Sequence, residues 1–359
     1  MTTRRRFLSG ALASTLIPAT GWAAAGSPAF LNAARKPDGQ HLLLGLDGMG
    51  SELFRVPIPD RGHAATAHPT RAEAVAFARR PGTFAHVIDC KSGEVLHKMQ
   101  TPPERHFYGH GAFSQGGTLL FTPENAYEDG FGVIGVWDTT GGYARLGEFP
   151  SGGIGPHEVL RLPGSDVLAI CNGGIDTHPD TGRTKLNIPT MRPNLTYMAQ
   201  DGTILEQVDL PDTMHKNSIR HMAVGPDGLV AFGMQWQGGN DAPPLVALHR
   251  RGNALALLEV PAHLHQRLRG YIGSVAMTEN GHHLAVTSPR GGLVLFFETG
   301  NGTFSGFLEE PDVCGLGTIG DRFVITSGTG RFATINKGYI QHSAQHDLQF
   351  DNHLIAVPS

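Results

Sequence analysis

Gly109-His110-Gly111-Ala112-Phe113-Ser114 opens a group of four strand-sized segments, continued by residues 119–122, 132–138 and 144–150 and separated by turns. A similar group begins at Gly155 and runs through 167–172, 194–199 and 204–210; others start near Gly62, Ile219, Tyr271 and Val313. Self-similarity at a spacing of about forty to fifty residues marks a repeat architecture in which each unit supplies one sheet. Six complete groups leave apolar strands at 30–34, 41–46 and 52–58 at one end of the chain and at 352–357 at the other. Three strands plus one complete a seventh unit. The sequence therefore predicts an all-β, seven-bladed β-propeller, its ring closed by N-terminal strands pairing with the C-terminal strand so that no sheet edge stays open at the seam. A pair of β-sandwiches is the competing all-β arrangement, but nothing resembling a linker divides the chain.

Composition points the same way. With 48 glycines, 24 prolines and 17% charged residues, the chain reads as short strands joined by tight turns. Only residues 262–269 carry a short helical pattern.

The first residues, Thr3-Arg4-Arg5-Arg6-Phe7-Leu8-Ser9, match a twin-arginine export signal, followed by an apolar stretch over 10–17 and a small-residue cleavage site at Ala23-Ala24-Ala25. That stretch is too short to span a bilayer. We read 1–25 as a signal peptide, 26–359 as a single propeller domain and the destination as the periplasm. Loss of Arg4, Arg5 and Arg6 takes the formal net charge from −4 to −7, which argues against nucleic acid as a partner. No later run of eighteen apolar residues is present, so the mature chain has no predicted transmembrane segment. Cys90, Cys171 and Cys314 lie far apart without a Cys-x-x-Cys pair, which disfavours a zinc knuckle or a thioredoxin-like site; the odd count leaves at least one thiol free or metal-bound.

Aligning the first strand of each blade gives Gly62-His63-Ala64, Gly109-His110-Gly111, Pro156-His157-Glu158, Arg220-His221-Met222, Gly273-Ser274-Val275, Cys314-Gly315-Leu316 and Asn352-His353-Leu354. Five of seven carry histidine in one register. First strands line a propeller's central channel, so equivalent positions form a ring around its axis. Five imidazoles there make a transition-metal site, with His63, His110, His157, His221 and His353 as ligands and Cys314 and Ser274 as lesser candidates; calcium or magnesium would need carboxylates and carbonyls that this register lacks.

Residues 173–193 form a long insertion, which makes a functional loop. It carries His178, Arg183, Lys185 and Arg192 and is expected to fold over the channel mouth. Arg105, His106, Tyr108, Arg220 and Arg269 are rim candidates; of all these, His178, Arg192, Arg220 and His106 are the candidate cofactor-binding residues. His41, His97, His249, His263, His265, His282 and His283 are expected at exposed loops or edges. Glu158, next to His157 in a strand, is expected to face the opposite way; Glu124 and Asn125 are expected to reach the top loops. The chain lacks Gly-x-Ser-x-Gly, Gly-x-x-x-x-Gly-Lys and His-Glu-x-x-His motifs.

The segments Phe107-Tyr108-Gly109-His110-Gly111, Gly152-Gly153-Ile154-Gly155-Pro156-His157-Glu158, Thr177-His178-Pro179, Leu248-His249-Arg250-Arg251-Gly252 and Thr287-Ser288-Pro289-Arg290-Gly291-Gly292 resemble the bacterial domain-of-unknown-function family 1513. The resemblance covers nearly all the mature chain. It implies a WD40-like periplasmic seven-bladed propeller, typically encoded beside imelysin-type and di-haem oxidoreductase-like proteins linked to iron acquisition. In plan, the hub is similar to the propeller domain of nitrous oxide reductase, where a histidine ring holds a copper cluster.

Together these readings make the expected function binding of a transition metal ion, iron or copper, during its acquisition or handling, with other periplasmic metal-uptake proteins as partners. Metal-dependent redox activity requires a coordination position left open. A non-catalytic interaction scaffold within an uptake complex is the alternative. A calcium-dependent lactonase-like propeller fits least, because the hub offers imidazoles where acidic ligands are required.

Overall fold

The computed structural model describes residues 20–79 and 83–358; the twin-arginine motif lies outside them. Seven antiparallel sheets form the blades of a propeller. Numbered in chain order around the ring, blade 1 joins strand Gln349–Ala356 to strands Phe30–Arg35, His41–Leu46 and Glu52–Ile58. Blades 2 to 7 occupy 62–99, 105–150, 156–209, 217–258, 274–309 and 313–345. Blade 3 is five-stranded because its inner strand is split into Arg105–Phe107 and Ala112–Phe113.

The burial pattern follows each strand's depth in its blade. Inner strands such as Gly62–Ala67 and Leu168–Asn172 are buried on both faces, whereas outer strands such as Phe304–Glu309 and Tyr339–Gln345 alternate, as expected where only one face packs on a neighbouring sheet. Apolar side chains gather between successive blades: Phe77, Val87, Phe107 and Trp137 join blades 2 and 3, and Phe30, Leu44, Val324 and Phe332 join blades 1 and 7. Helix Ala262–Arg267 caps the junction of blades 5 and 6 through Leu264.

Residues 21–25 form a 3₁₀ turn whose Trp22 is buried between blades 1 and 2 and donates its indole N–H to the His68 carbonyl at 2.8 Å. A cut after Ala25 would remove this side chain from the core.

Most hub strands are irregular where the aligned residues sit. Pairing shifts between Gly62 and Ala65, between Pro156 and Glu158, between Ile219 and His221, and between Val313 and Gly315. In blade 3 the split strand leaves Tyr108–Gly111 out of the ladder. His353 has φ +71, within a register shift against Phe30–Arg35. Such bulges bend the strand and re-aim its side chains. Only the blade 6 segment, around Ser274, pairs without a shift.

Candidate metal centre

These bulges bring His63, His110, His157, His221 and His353 together. All five are 3–8% exposed, and their ring centroids lie 4.3–6.4 Å apart in the close pairs. Ligand nitrogens of His63, His110 and His157 fall within 4.8 Å of one another, as do those of His110, His221 and His353. His110 is therefore shared by two triads. A tetrahedral ion bound at about 2.0–2.1 Å sets nitrogens roughly 3.4 Å apart, so those of either triad would draw in by up to about 1.4 Å to share one ion.

The polar accounting supports a missing partner. His63 Nδ1, His157 Nδ1 and His353 Nε2 are buried without a hydrogen bond or ion-pair partner, although buried polar atoms in folded proteins are almost always satisfied. His110 Nε2 lies 3.1 Å from His63 Nε2, a contact that requires a proton or a cation between two lone pairs. Burial is the main force holding all five imidazoles well below the usual histidine range; Arg220 adds to it at His157 and His221, and Glu158 opposes it at His110. The ring is thus neutral near pH 7, the protonation state that ligates metal.

Glu158 does not sit apart from the ring as strand alternation predicts. The shift at Pro156/Glu158 breaks that alternation, and the carboxylate reaches 3.5 Å from His110 Nδ1 and 3.6 Å from His221 Nδ1. It accepts the Met222 backbone N–H at 2.8 Å, while burial pushes its carboxyl up. A carboxylate behind two imidazoles orients their Nε2 atoms inward and raises their basicity toward metal.

The lesser candidates stand outside this cluster. Ser274 Oγ lies 3.5 Å from His353 Nδ1, positioned to orient that ring. Cys314 turns its thiol to the Phe350 and Asp351 carbonyls, both at 3.5 Å, and burial pushes the thiol up to about 12, which opposes thiolate ligation. Cys90 and Cys171 are likewise free and buried.

Above the ring, His63, His157 and His221 form part of the wall of a 190 Å³ cavity that also meets Arg79, Arg183, Lys185, Arg220, Tyr271 and Asn352. The 173–193 insertion supplies Ile175, Thr177, Arg183 and Lys185 to it, and Asn125 anchors the insertion by donating to the Thr177 carbonyl at 2.8 Å. Of the four cofactor-binding candidates, only Arg220 lines this cavity. His178 is held 3.1 Å from Glu128, His106 lies 3.1 Å from the Phe107 carbonyl, and Arg192 is exposed. Arg79 escaped the sequence reading, although its charge directly follows the apolar strand Glu73–Ala78. His249, expected at the surface, is buried beside blade 4, with Nδ1 2.8 Å from the Tyr197 hydroxyl. Glu124 is buried too, paired with Arg145 at 2.8 Å.

A family model described as "Protein of unknown function (DUF1513)" matches residues 56–357. The chain belongs to that family. No curated protein matches this DUF1513 propeller. Among solved structures, hydrazine synthase of Kuenenia stuttgartiensis is similar at 13% identity and a TM-score of 0.63, over 92% of this chain and 99% of that one. Identity that low shows a shared fold alone.

Proposed function

We propose that this DUF1513 propeller binds a transition metal ion, iron or copper, in its histidine ring and handles it in the periplasm with other metal-uptake proteins. The observation that carries the reading is the convergence of five buried imidazoles, three of which, His63, His157 and His353, present a ring nitrogen without a partner. Imidazole suits copper, iron, nickel and zinc over calcium or magnesium. His63, His110, His157, His221 and His353 would hold the ion, Glu158 and Ser274 would orient His110, His221 and His353, and the cavity would admit ligands on the side of His63, His157 and His221. A metal bound with an open position supplies Lewis-acid or electron-transfer chemistry.

The twin-arginine motif supports the location, since that route exports folded proteins and so permits a centre to be assembled beforehand. The test is elemental analysis of protein purified from the periplasm of cells replete in iron and copper. Metal at about one equivalent per chain, lost when the five histidines are changed to alanine, is the expected result. A native protein free of metal, or a variant that retains it, would leave the interaction scaffold as the better reading.

A further inference from the structure

The cavity over the ring has a chemical character of its own. Arg79, Arg183, Lys185 and Arg220 line it, and among the described residues no carboxylate does. This concentration runs against the chain's acidic balance of 32 Asp and Glu to 28 Lys and Arg, so it is a local feature of the fold. Its members come from separate elements: Arg79 follows the second strand of blade 2, Arg220 lies on the inner strand of blade 5, and Arg183 and Lys185 belong to the insertion of blade 4.

The charges are close enough to disturb one another. Burial lowers Lys185, with Arg220 and Arg290 adding to the effect. Burial also lowers Arg79, Arg61 and Arg183 acting in the same direction against the nearby Asp351. Asp351 is already engaged by Arg61 at 2.5 Å as well as by Arg79 at 3.2 Å. A cleft walled by one sign of charge focuses its field on the opposite sign and raises encounter rates about 10- to 1,000-fold. It repels a bare metal dication and attracts an anion. At 190 Å³ the space is smaller than the roughly 300 Å³ from which pockets for drug-sized ligands begin, so the occupant is small. Tyr108, Gln235, Tyr271 and Asn352 add polar groups to the wall.

We propose that this cavity is a site for a small multivalent anion, a dicarboxylate or an inorganic oxyanion, held by Arg79, Arg183, Lys185 and Arg220 with an acidic group facing His63, His157 and His221. Where the ring holds metal, that acidic group is placed to occupy a coordination position; this part rests on the reading of the ring as a metal centre. Anion capture itself does not.

Calorimetric titration with oxalate, phosphate and neutral oxamide tests the site, using native protein and the double variant Arg183→Gln/Lys185→Gln. Both changes lie in the insertion outside every strand, and a urea midpoint unchanged from the native protein's checks that the variant is folded. Native protein is expected to bind oxalate or phosphate at least tenfold more tightly than the variant does, with affinity falling as salt is raised and no binding of oxamide. Preference for oxalate or phosphate identifies the carboxylate or the inorganic source. Equal anion affinity in native and variant proteins overturns the proposal, as does native protein that binds neither anion or binds oxamide equally well. If the variant binds less oxalate but neither protein holds metal, the anion site stands and the metal reading fails, so the two failures are separable.

Discussion

Glu158 shows how one side chain sets the chemistry of several others. Its two oxygens face the Nδ1 atoms of His110 and His221, so Glu158→Gln removes a carboxylate while keeping shape. Where the ring holds metal as proposed, loss of the carboxylate behind two of its imidazoles should cost about 10- to 100-fold in metal affinity. Competition with a chelator should show that loss with little change in melting temperature; unchanged affinity would mean that the imidazoles orient themselves. The imidazoles also predict a pH dependence for the metal-free protein. All five are held well below the usual histidine range, so below about pH 6.5 the unfolded chain takes up protons that the folded ring excludes. Their stability contribution is complete above that pH and is lost as pH falls, each imidazole adding a slope of up to ~1.4 kcal/mol per pH unit. Glu158, raised by burial, acts with the opposite sign, one carboxyl against five imidazoles. Urea midpoints should therefore drop between pH 7.5 and pH 5.5, and the drop should shrink when the five histidines are alanine.

At the scale of the element, the broken hub strand of blade 3 is the clearest case. Residues 108–111 leave the ladder, and Gly109 has φ +101, a conformation that side-chain-bearing residues rarely adopt. A Cβ there would come within 2.6 Å of His63 Cδ2. Gly109→Ala therefore strains the backbone and displaces a ring histidine of the neighbouring blade. The expected cost is about 1–3 kcal/mol in folding stability together with weaker metal retention. A variant that keeps native metal content would show that the break is only a connection. The insertion of blade 4 is anchored similarly, since a Cβ on Gly155 would meet the Ile175 carbonyl oxygen at 2.7 Å.

Across the whole molecule, strand Gln349–Ala356 pairs with Phe30–Arg35 and places His353 in the ring. Asn32 fastens this junction: its amide donates to the His353 carbonyl at 3.0 Å, and its carbonyl accepts the Thr326 hydroxyl of blade 7 at 2.9 Å. Asn32→Ala leaves buried backbone and hydroxyl groups unsatisfied. The expected loss is ~1–3 kcal/mol, read as a lower urea midpoint within a single transition. A separate early transition would instead mean that blade 1 unfolds independently of the ring.

The spacing of apolar segments, and the histidines aligned at their starts, made the seven blades and the five-imidazole ring legible without coordinates. Both are repeat properties, in which each unit's local pattern predicts its position relative to the axis. The tertiary structure decided what surrounds the ring. Strand alternation sends Glu158 away from His157, but a bulge returns it to the ring, because pairing with the adjacent strand shifts between Pro156 and Glu158. Cys314, equally close to the hub in sequence, is turned by another bulge toward backbone carbonyls. Arg79, Arg183, Lys185 and Arg220 are scattered through three blades, and their shared cavity exists only once the propeller has closed. No local pattern carries that convergence, since it depends on where bulged strands and a long insertion meet across the axis.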